Sequence, residues 1–210
     1  MTVLVVTGTD TGIGKTVFAA GLAGALGAFY WKPIQAGVDP EGDRETVAAL
    51  SGLPPHRILP EAYRLNTPAS PHLAARIDGV EIELDRLTLP QVDGPLVVEG
   101  AGGLMVPIGE TLLMIDLFAH WGRPVILCAR TALGTINHSL LSIEALKARH
   151  IPIAGIAFVG DRHDENERII PQLAGVPSLG RLPMLDPLTP AALAAAFAQH
   201  IDLSDTFNGR

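Results

Sequence analysis

The chain alternates short, uninterrupted apolar runs with longer segments that carry apolar residues at helical spacing. The runs at 2–6 and 153–159 are rich in β-branched residues and apolar on both faces, which is typical of buried parallel strands. The segment 15–26 instead places Phe18 and Leu22 on one helix face. Strands that alternate with helices predict an α/β fold with three layers, in which a doubly wound, mostly parallel sheet carries helices on both faces.

The same patterns predict the bounds of the individual elements. Strands are predicted at 2–6, 29–32, 95–98, 124–129, 153–159 and 178–182, and helices at 15–26, 43–51, 70–77, 111–121, 137–149, 164–174 and 190–200. The proline-rich stretch 54–71 is predicted to be mostly irregular, and the glycines at 100–103 to form a loop. We expect a single domain at 1–202 and a fraying tail at 203–210.

Composition and charge narrow the function classes. With 48% hydrophobic and 18% charged residues the chain is globular rather than disordered. The formal net charge is −7 and no block of basic residues occurs, which argues against binding to nucleic acid or to an anionic membrane surface. No apolar run is long enough for a membrane helix and no secretion signal is visible, so we expect a cytoplasmic protein. Cys128 is the one cysteine, so no intrachain disulfide can form, and its apolar surroundings predict a buried thiol.

The strongest motif is GTDTGIGKT, from Gly8 to Thr16. It follows a predicted strand and opens a predicted helix, which is the setting of a phosphate-binding P-loop. Lys15 would reach the β- and γ-phosphates, and the Thr16 hydroxyl would hold Mg²⁺. The fit to the usual spacing is imperfect, because Thr9 stands where that pattern has its first glycine.

Three further charged residues stand where predicted strands end or helices begin. Glu99 ends a buried strand, at the sheet edge where ligands bind in doubly wound folds, and its carboxylate suits Mg²⁺. Asp43 begins a predicted helix and Lys32 closes a strand before Pro33. Each has a structural alternative: Glu99 and Asp43 as caps, and Lys32 as a solvated side chain rather than one that neutralises a transferring phosphoryl group.

Taken together, GTDTGIGKT, WKPIQAG, VEGAGG, LGTINHS and LPML occur in an order that resembles the dethiobiotin synthetase family over roughly residues 3–190. The resemblance implies an ATP- and Mg²⁺-dependent cyclo-ligase of biotin synthesis that makes dethiobiotin from 7,8-diaminononanoate and CO₂. It also implies the route: a carbamate on one amine, then a carbamic–phosphoric anhydride, then ring closure by the second amine with loss of phosphate.

The resemblance further implies roles for individual residues. Lys15 and Lys32 would form a cationic clamp around carbamate and γ-phosphate, with Thr11 against the carbamate, and Thr16, Asp43 and Glu99 would hold Mg²⁺. The other nucleotide-binding residues would be Gly12, Ile13, Gly14, Val17, Gly100, Ala101, Gly102, Gly160, Asp161, Pro183, Met184 and Leu185. The substrate would also meet Ala36 and the segment Gly134, Thr135, Ile136 and Asn137, which would come from a second subunit and hold the far carboxylate. A homodimer with composite sites is therefore expected.

The chain departs from the family pattern at several positions. Ala36 stands where members often carry a hydroxyl beside the substrate, and Gly12 where some have glutamate. The segment 158–161 lacks the Asn-Asp that often follows this strand, so the choice between ATP and other nucleoside triphosphates stays open.

Several other residues stay open at the level of sequence. Asn137 could be an ordinary helix N-cap, and His138 a surface residue. Asp116 could face the nucleotide or solvent. Tyr30 and Trp31 are predicted to pack in the core rather than to stack on a base.

A ParA/MinD-like ATPase switch, which shares the sheet and the P-loop but acts by binding partners, is the alternative function. Such proteins usually carry a second lysine early in the loop, whereas this loop begins with Gly8 and Thr9 and has no lysine before Lys15. They also tend to have a membrane helix or a basic DNA-binding surface, and neither is visible in this sequence.

Overall fold

The computed structural model describes residues 2–38 and 41–204, which form a parallel sheet between two layers of helices. The main sheet has six strands in the order β2-β5-β1-β6-β7-β8. Their bounds are β1 Val3–Gly8, β2 Phe29–Trp31, β5 Leu96–Gly103, β6 Val125–Arg130, β7 Ile153–Val159 and β8 Ser178–Leu182. Every neighbouring pair in this sheet is parallel, so the predicted fold class is confirmed.

The helices match the predicted set with shifts at their ends. They are α1 Lys15–Leu26, α2 Asp43–Leu50, α3 Pro71–Asp78, α4 Met114–Trp121, α5 Thr135–Ala148, α6 Asp164–Ala174 and α7 Pro190–His200. In the described residues, none of these helices has the length and apolar character needed to cross a membrane. We predicted a fraying tail at 203–210. Residues 205–210 of this tail lie outside the described residues, and residues 203–204 come after the end of α7.

Alternating side chains of the strands bury two apolar layers on opposite faces of the sheet. On one face Leu4 and Val6 of β1 pack with Phe18 of α1 and Phe197 of α7. On the other face α4, α5 and α6 supply side chains such as Phe118, Ile143 and Ile170. Cys128 has no exposed surface, as predicted, and its burial raises the pKa of the thiol.

Part of the stretch that we predicted to be irregular is ordered as a second, small sheet. The strands β3 (Ile34–Ala36) and β4 (Tyr63–Leu65) pair in parallel. In β4, Tyr63 and Leu65 are buried while Arg64 is exposed, the alternation of a half-buried strand. A three-residue strand among prolines carries too short a pattern to be recognised from sequence.

Two boundaries near the expected site also differ from the prediction. The glycines at 100–103 continue β5 instead of forming a loop, and Gly103 pairs with Gly8 at the end of β1. The helix predicted to begin at Asn137 begins at Thr135, with Gly134 as its N-cap at a φ of 93°. Asn137 is therefore not the N-cap. The carboxyl ends of β1, β2 and β5 lie at the same edge of the sheet. The phosphate loop, Lys32 and Glu99 lie together at this edge.

Candidate active site

The loop between β1 and α1 is shaped to present backbone N–H groups to an anion. Gly14 caps α1 in a left-handed conformation, with a φ of 90°. A Cβ on this residue would lie 2.7 Å from Cγ1 of Val159, so both the backbone and the space require glycine. The first N–H groups of α1 have no partner within the helix and suit phosphate oxygens.

Lys15 is folded back over this loop and is nearly buried. Its Nζ donates a hydrogen bond of 2.7 Å to the backbone carbonyl of Asp10. A Cβ at Gly8 would lie 2.9 Å from the Lys15 Cδ, so the glycine leaves room for the side chain. Burial lowers the pKa of Lys15, although the nearby Glu99 carboxylate opposes this effect.

Glu99 is the centre of the charged cluster and has no exposed surface. Its Oε1 accepts hydrogen bonds from the Thr16 hydroxyl at 2.8 Å and from Nζ of Lys32 at 3.2 Å. Its Oε2 accepts a hydrogen bond of 2.8 Å from the Tyr30 hydroxyl. Glu99 therefore does not cap a strand or a helix, and three donors, one in α1, one in β2 and one directly after β2, stabilise its buried carboxylate.

Lys32 follows β2 and lies between two carboxylates. Its Nζ donates to Oδ2 of Asp43 as well as to Glu99, and the residue is only 5% exposed. Burial lowers the pKa of Lys32, but Glu99 and Asp43 outweigh that effect and the pKa lies above its ordinary value. The alternative of a solvated lysine is therefore wrong.

Asp43 is held at its place by its own helix and by a glutamine. Gly42 is the N-cap of α2, so Asp43 is the first helical residue and its side chain is not needed as a cap. Its backbone N–H donates to Oε1 of Gln35 at 3.2 Å, while Nε2 of Gln35 donates to the carbonyl of Gly37 at 2.9 Å. Sequence reasoning missed Gln35, for which a polar side chain between two apolar strand residues was the only signal.

The donor set of this cluster fits Mg²⁺. The Thr16 hydroxyl and the carboxylates of Asp43 and Glu99 are hard oxygen ligands, and proteins commonly bind Mg²⁺ through one or two carboxylates together with substrate phosphates. Among residues 2–38 and 41–204, no group of three or more His, Cys, Asp or Glu side chains could hold a metal alone. Phosphate oxygens would therefore have to complete the coordination shell.

A cavity of about 500 Å³ opens beside Lys32. It brings together three of the predicted substrate residues, Thr11, Lys32 and Ala36, with three predicted nucleotide-binding residues, Asp43, Ala101 and Gly102. The remaining lining residues are Gln35, Pro68, Ala69, Ser70, Pro71 and Val106. The cavity thus joins the phosphate loop, the charged cluster and the start of α3.

The residues predicted to hold the nucleotide base lie at the ends of β7 and β8. The Gly160 N–H donates to the carbonyl of Leu182 at 3.0 Å, and its carbonyl accepts from Nη1 of Arg181 at 3.1 Å. The neighbouring Val159 contacts Gly14, so this edge lies beside the phosphate loop. Asp161 and Met184 are exposed and Pro183 and Leu185 are half-buried.

The segment 134–137 lies apart from the 500 Å³ cavity within one chain. Thr135 is buried and its hydroxyl donates to the carbonyl of Arg130 at 2.5 Å, whereas Ile136, Asn137 and His138 are exposed. None of them is among the lining residues of that cavity. Within one chain, this segment therefore does not contribute to the wall of that cavity.

Asp116, which the sequence left undecided, stabilises a helix. Its Oδ2 accepts a hydrogen bond of 3.0 Å from the backbone N–H of Leu113 at the start of α4. Its Oδ1 accepts one of 3.1 Å from Nε of Arg149. Both carboxylate oxygens of Asp116 therefore have hydrogen-bond partners, and neither partner is among the residues predicted to bind the nucleotide.

Sequence comparison finds one family model and many close relatives. A model described as an AAA domain matches residues 2–192. The chain is 67% identical to an ATP-dependent dethiobiotin synthetase BioD of Rhodopseudomonas palustris strain HaA2, over 96% of this chain and 95% of that one. It is 61% identical to the protein of the same name from Brucella anthropi, over 95% and 94% of the two chains.

Structure comparison finds the same fold in distant proteins. The MinC:MinD cell division complex of Aquifex aeolicus matches with a TM-score of 0.56 and 14% identity, over 95% of both chains. A ParA family ATPase from Chlorobium tepidum matches with a TM-score of 0.56 and 11% identity, over 94% of this chain and 91% of that one. At such low identity, the likeness concerns the fold alone.

Proposed function

The chain belongs to the family of ATP-dependent dethiobiotin synthetases, which are cyclo-ligases, and we propose on this premise that it closes the ureido ring of dethiobiotin. The substrates would be 7,8-diaminononanoate, CO₂ and ATP, and the products dethiobiotin, ADP and phosphate. The observation that carries the proposal is the position of Lys32, which lies between Asp43 and Glu99 on the wall of a cavity beside the phosphate loop.

The reaction is written as three bond-forming steps. One substrate amine attacks CO₂ and loses a proton, which gives a carbamate. A carbamate oxygen then attacks the γ-phosphorus, and ADP leaves. The second amine attacks the carbamoyl carbon and loses a proton, and the bond between that carbon and the phosphate oxygen breaks. Phosphate leaves, and the carbonyl carbon stays in the closed ureido ring.

The chain's own residues would act mainly by positioning and by neutralising charge. The N–H groups at the start of α1 and Lys15 hold the triphosphate, and Lys32 faces the negative charge shared by carbamate and γ-phosphate. Thr11, on the wall of the same cavity, would contact the carbamate. When bound by Thr16, Asp43 and Glu99, Mg²⁺ would supply further neutralisation of phosphate charge.

The nucleotide base would lie against Gly160, Asp161 and the segment 183–185. The backbone N–H and carbonyl of Gly160 each have a hydrogen-bond partner in β8. We propose ATP as the co-substrate because the relatives are named as ATP-dependent enzymes. Since the segment 158–161 lacks the Asn-Asp that often follows this strand in the family, we expect other triphosphates to compete with ATP.

We further propose a homodimer in which each active site receives the segment 134–137 from the other subunit. Leu133, Met105 and Leu141 are exposed apolar side chains on the side of the molecule that carries α5 and the end of β5. Met105 and Leu141 line a second cavity, of about 560 Å³, that also includes Thr11. Covering this surface with a second copy would bury apolar area next to the substrate site.

We also propose that the protein is located in the cytoplasm.

Measurement of phosphate release tests the proposed function against a partner-binding ATPase. Purified protein is assayed with MgATP, with and without 7,8-diaminononanoate and bicarbonate, and dethiobiotin is quantified by mass spectrometry. Release that requires both additions and matches dethiobiotin in amount supports the proposal. Release that is indifferent to both favours a ParA/MinD-like switch. Absence of release with ATP is followed by CTP and the other triphosphates, and failure with all of them contradicts the proposal.

A further inference from the structure

We propose that the Tyr30 hydroxyl is a positioning group for Glu99, which fixes the carboxylate so that Oε1 faces the Thr16 hydroxyl as a ligand for nucleotide-bound Mg²⁺. The inference rests on the proposed function, because it assigns a role within the same nucleotide site. It gives a function to a side chain that the sequence indicated only as part of the core.

Strand register brings the two side chains together. Tyr30 in β2 pairs with Val97 in β5, and Glu99 follows two residues later on the same face of β5. Tyr30, Val97 and Phe18 share the apolar layer beneath α1, whereas Trp31 points to the opposite face. The tyrosine ring therefore runs along the sheet toward the edge where ligands bind, and its hydroxyl ends at Oε2 of Glu99.

The two oxygens of Glu99 have different partners. Oε1 faces Thr16 and Lys32, which belong to the phosphate loop and the charged cluster. For Oε2, Tyr30 is the hydrogen-bond donor found in the described part of the chain. Both residues have no exposed surface, so water cannot easily replace the phenol. A buried donor on one carboxylate oxygen restricts rotation of the carboxylate and so helps to orient its other oxygen.

Because Tyr30 and Glu99 are both buried, the hydrogen bond between them restricts the orientation of the Glu99 carboxylate. Tyr30 lies in the apolar layer beneath α1 and has no exposed surface. Its hydroxyl donates a hydrogen bond of 2.8 Å to Oε2 of Glu99, which is equally buried. Loss of the hydroxyl would leave Oε2 without that donor and free the carboxylate to rotate away from Thr16.

The chain offers a matched control, because its other tyrosine also holds a hydroxyl in a hydrogen bond away from the site. Tyr63 is 3% exposed, and its oxygen accepts a bond of 2.8 Å from the backbone N–H of Glu83. Tyr63→Phe thus removes a similarly buried phenol oxygen without touching Glu99. Comparing Tyr30→Phe with Tyr63→Phe separates the loss of a buried hydroxyl from the loss of the contact with Glu99.

The test is the gain in ATP affinity that Mg²⁺ provides, measured by titration calorimetry with Mg²⁺ and with EDTA, in the absence of the other substrates. For Tyr30→Phe we expect this gain to fall by about tenfold or more, the usual effect of removing a partner that orients a metal ligand. ATP binding in EDTA should stay within about twofold, and Tyr63→Phe should match the wild type in both conditions.

Three results overturn the proposal. One is an unchanged gain from Mg²⁺ in folded Tyr30→Phe, and another is an equal loss of affinity with Mg²⁺ and with EDTA. A wild type that binds ATP but gains nothing from Mg²⁺ refutes the magnesium site and this proposal together, while the assay of dethiobiotin formation judges the proposed function separately.

A second measurement keeps the proposal testable if Tyr30→Phe is unstable. Incorporation of 3-fluorotyrosine into the Tyr63→Phe chain places the single fluorine probe at Tyr30. Its ¹⁹F resonance should shift when Mg²⁺ is added to the ATP-saturated protein, because the electron density of the Glu99 carboxylate changes. A resonance that does not move on addition of Mg²⁺ contradicts the proposal.

Discussion

The Lys32 ammonium lies 3.2 Å from Oε1 of Glu99, and neither residue is more than 5% exposed. A second carboxylate, that of Asp43, pairs with the same ammonium. Because both carboxylates also suit Mg²⁺, the lysine compensates their charge when no metal is bound. In the proposed Mg²⁺-bound state, the ammonium would be available to the negative charge of the reacting groups.

Replacement of Lys32 by alanine should lower kcat far more than it weakens nucleotide binding. In the proposed mechanism, the charge that Lys32 faces develops during phosphoryl transfer, so the loss of this lysine should affect the transition state more than the ground state. Steady-state kinetics with MgATP and a separate measurement of ATP affinity check this split. Lys147→Ala, at an exposed lysine of α5, is the matched control and should behave like the wild type. If only the KM for nucleotide rises, Lys32 is a binding residue and not a catalytic one.

Replacement of Lys15 by alanine should abolish nucleotide turnover. Its side chain lies over the phosphate loop, where the β- and γ-phosphates are expected, and no other lysine in the loop can substitute for it. Phosphate release in the presence of all substrates measures the effect. Turnover near that of the wild type would refute the P-loop assignment.

The two lysines of the site should affect stability in opposite directions. Burial lowers the pKa of Lys15, so the folded protein binds this proton less tightly than the unfolded chain does, and the charge opposes folding at neutral pH. At Lys32 burial also acts to lower the pKa, but Glu99 and Asp43 raise it above its ordinary value. This charge stabilises the fold at every pH below the unfolded pKa of 10.5, and the contribution is lost as the pH rises through the higher folded pKa.

Urea unfolding of two methionine variants checks this contrast. At neutral pH, Lys32→Met should lower the free energy of unfolding by about 3–5 kcal/mol, as expected when one partner of a buried ion pair is removed. Lys15→Met should not lower it, and any gain over the wild type should shrink as the pH approaches about 10. An equal loss in both variants would contradict the assigned environments.

Long apolar runs and the phosphate loop were predictable from the sequence because each is a local pattern. The bounds of α1, β7, α6, β8 and α7 agree with those predicted, since several consecutive residues carry each signal. The small sheet of β3 and β4 was not predictable, because two three-residue strands separated by a helix are joined only by tertiary contacts.

The charged cluster was predictable in membership but not in arrangement. Strand ends indicated Lys32 and Glu99, because parallel strands end at a common edge. Which donors meet which oxygen depends on the register between β2 and β5, and no local pattern encodes it. For that reason Tyr30 was placed in the core without its hydrogen bond to Glu99. Similarly, the hydrogen bond from the Asp43 N–H to Gln35 joins the start of α2 to β3, and no local pattern encodes it.

Two inactive variants should restore activity when they share one dimer. Lys15→Ala disables the phosphate loop of its own subunit, and Asn137→Asp places a negative charge in the segment expected to hold the substrate carboxylate of the other subunit. In a heterodimer of the two variants, one site combines the intact phosphate loop of the Asn137→Asp subunit with the intact segment 134–137 of the Lys15→Ala subunit. The other site combines the two altered parts. Such a dimer should show roughly half of the wild-type activity, since one of its two composite sites is whole.

Co-expression with two different affinity tags isolates this heterodimer, and dethiobiotin formation per dimer measures its activity. The two homodimers, each purified alone, provide the inactive controls, and a heterodimer of two tagged wild-type chains provides full activity. A purified heterodimer no more active than the homodimers would contradict composite sites, because each site would then use residues of one chain only. Failure of differently tagged chains to co-purify would contradict the dimer itself.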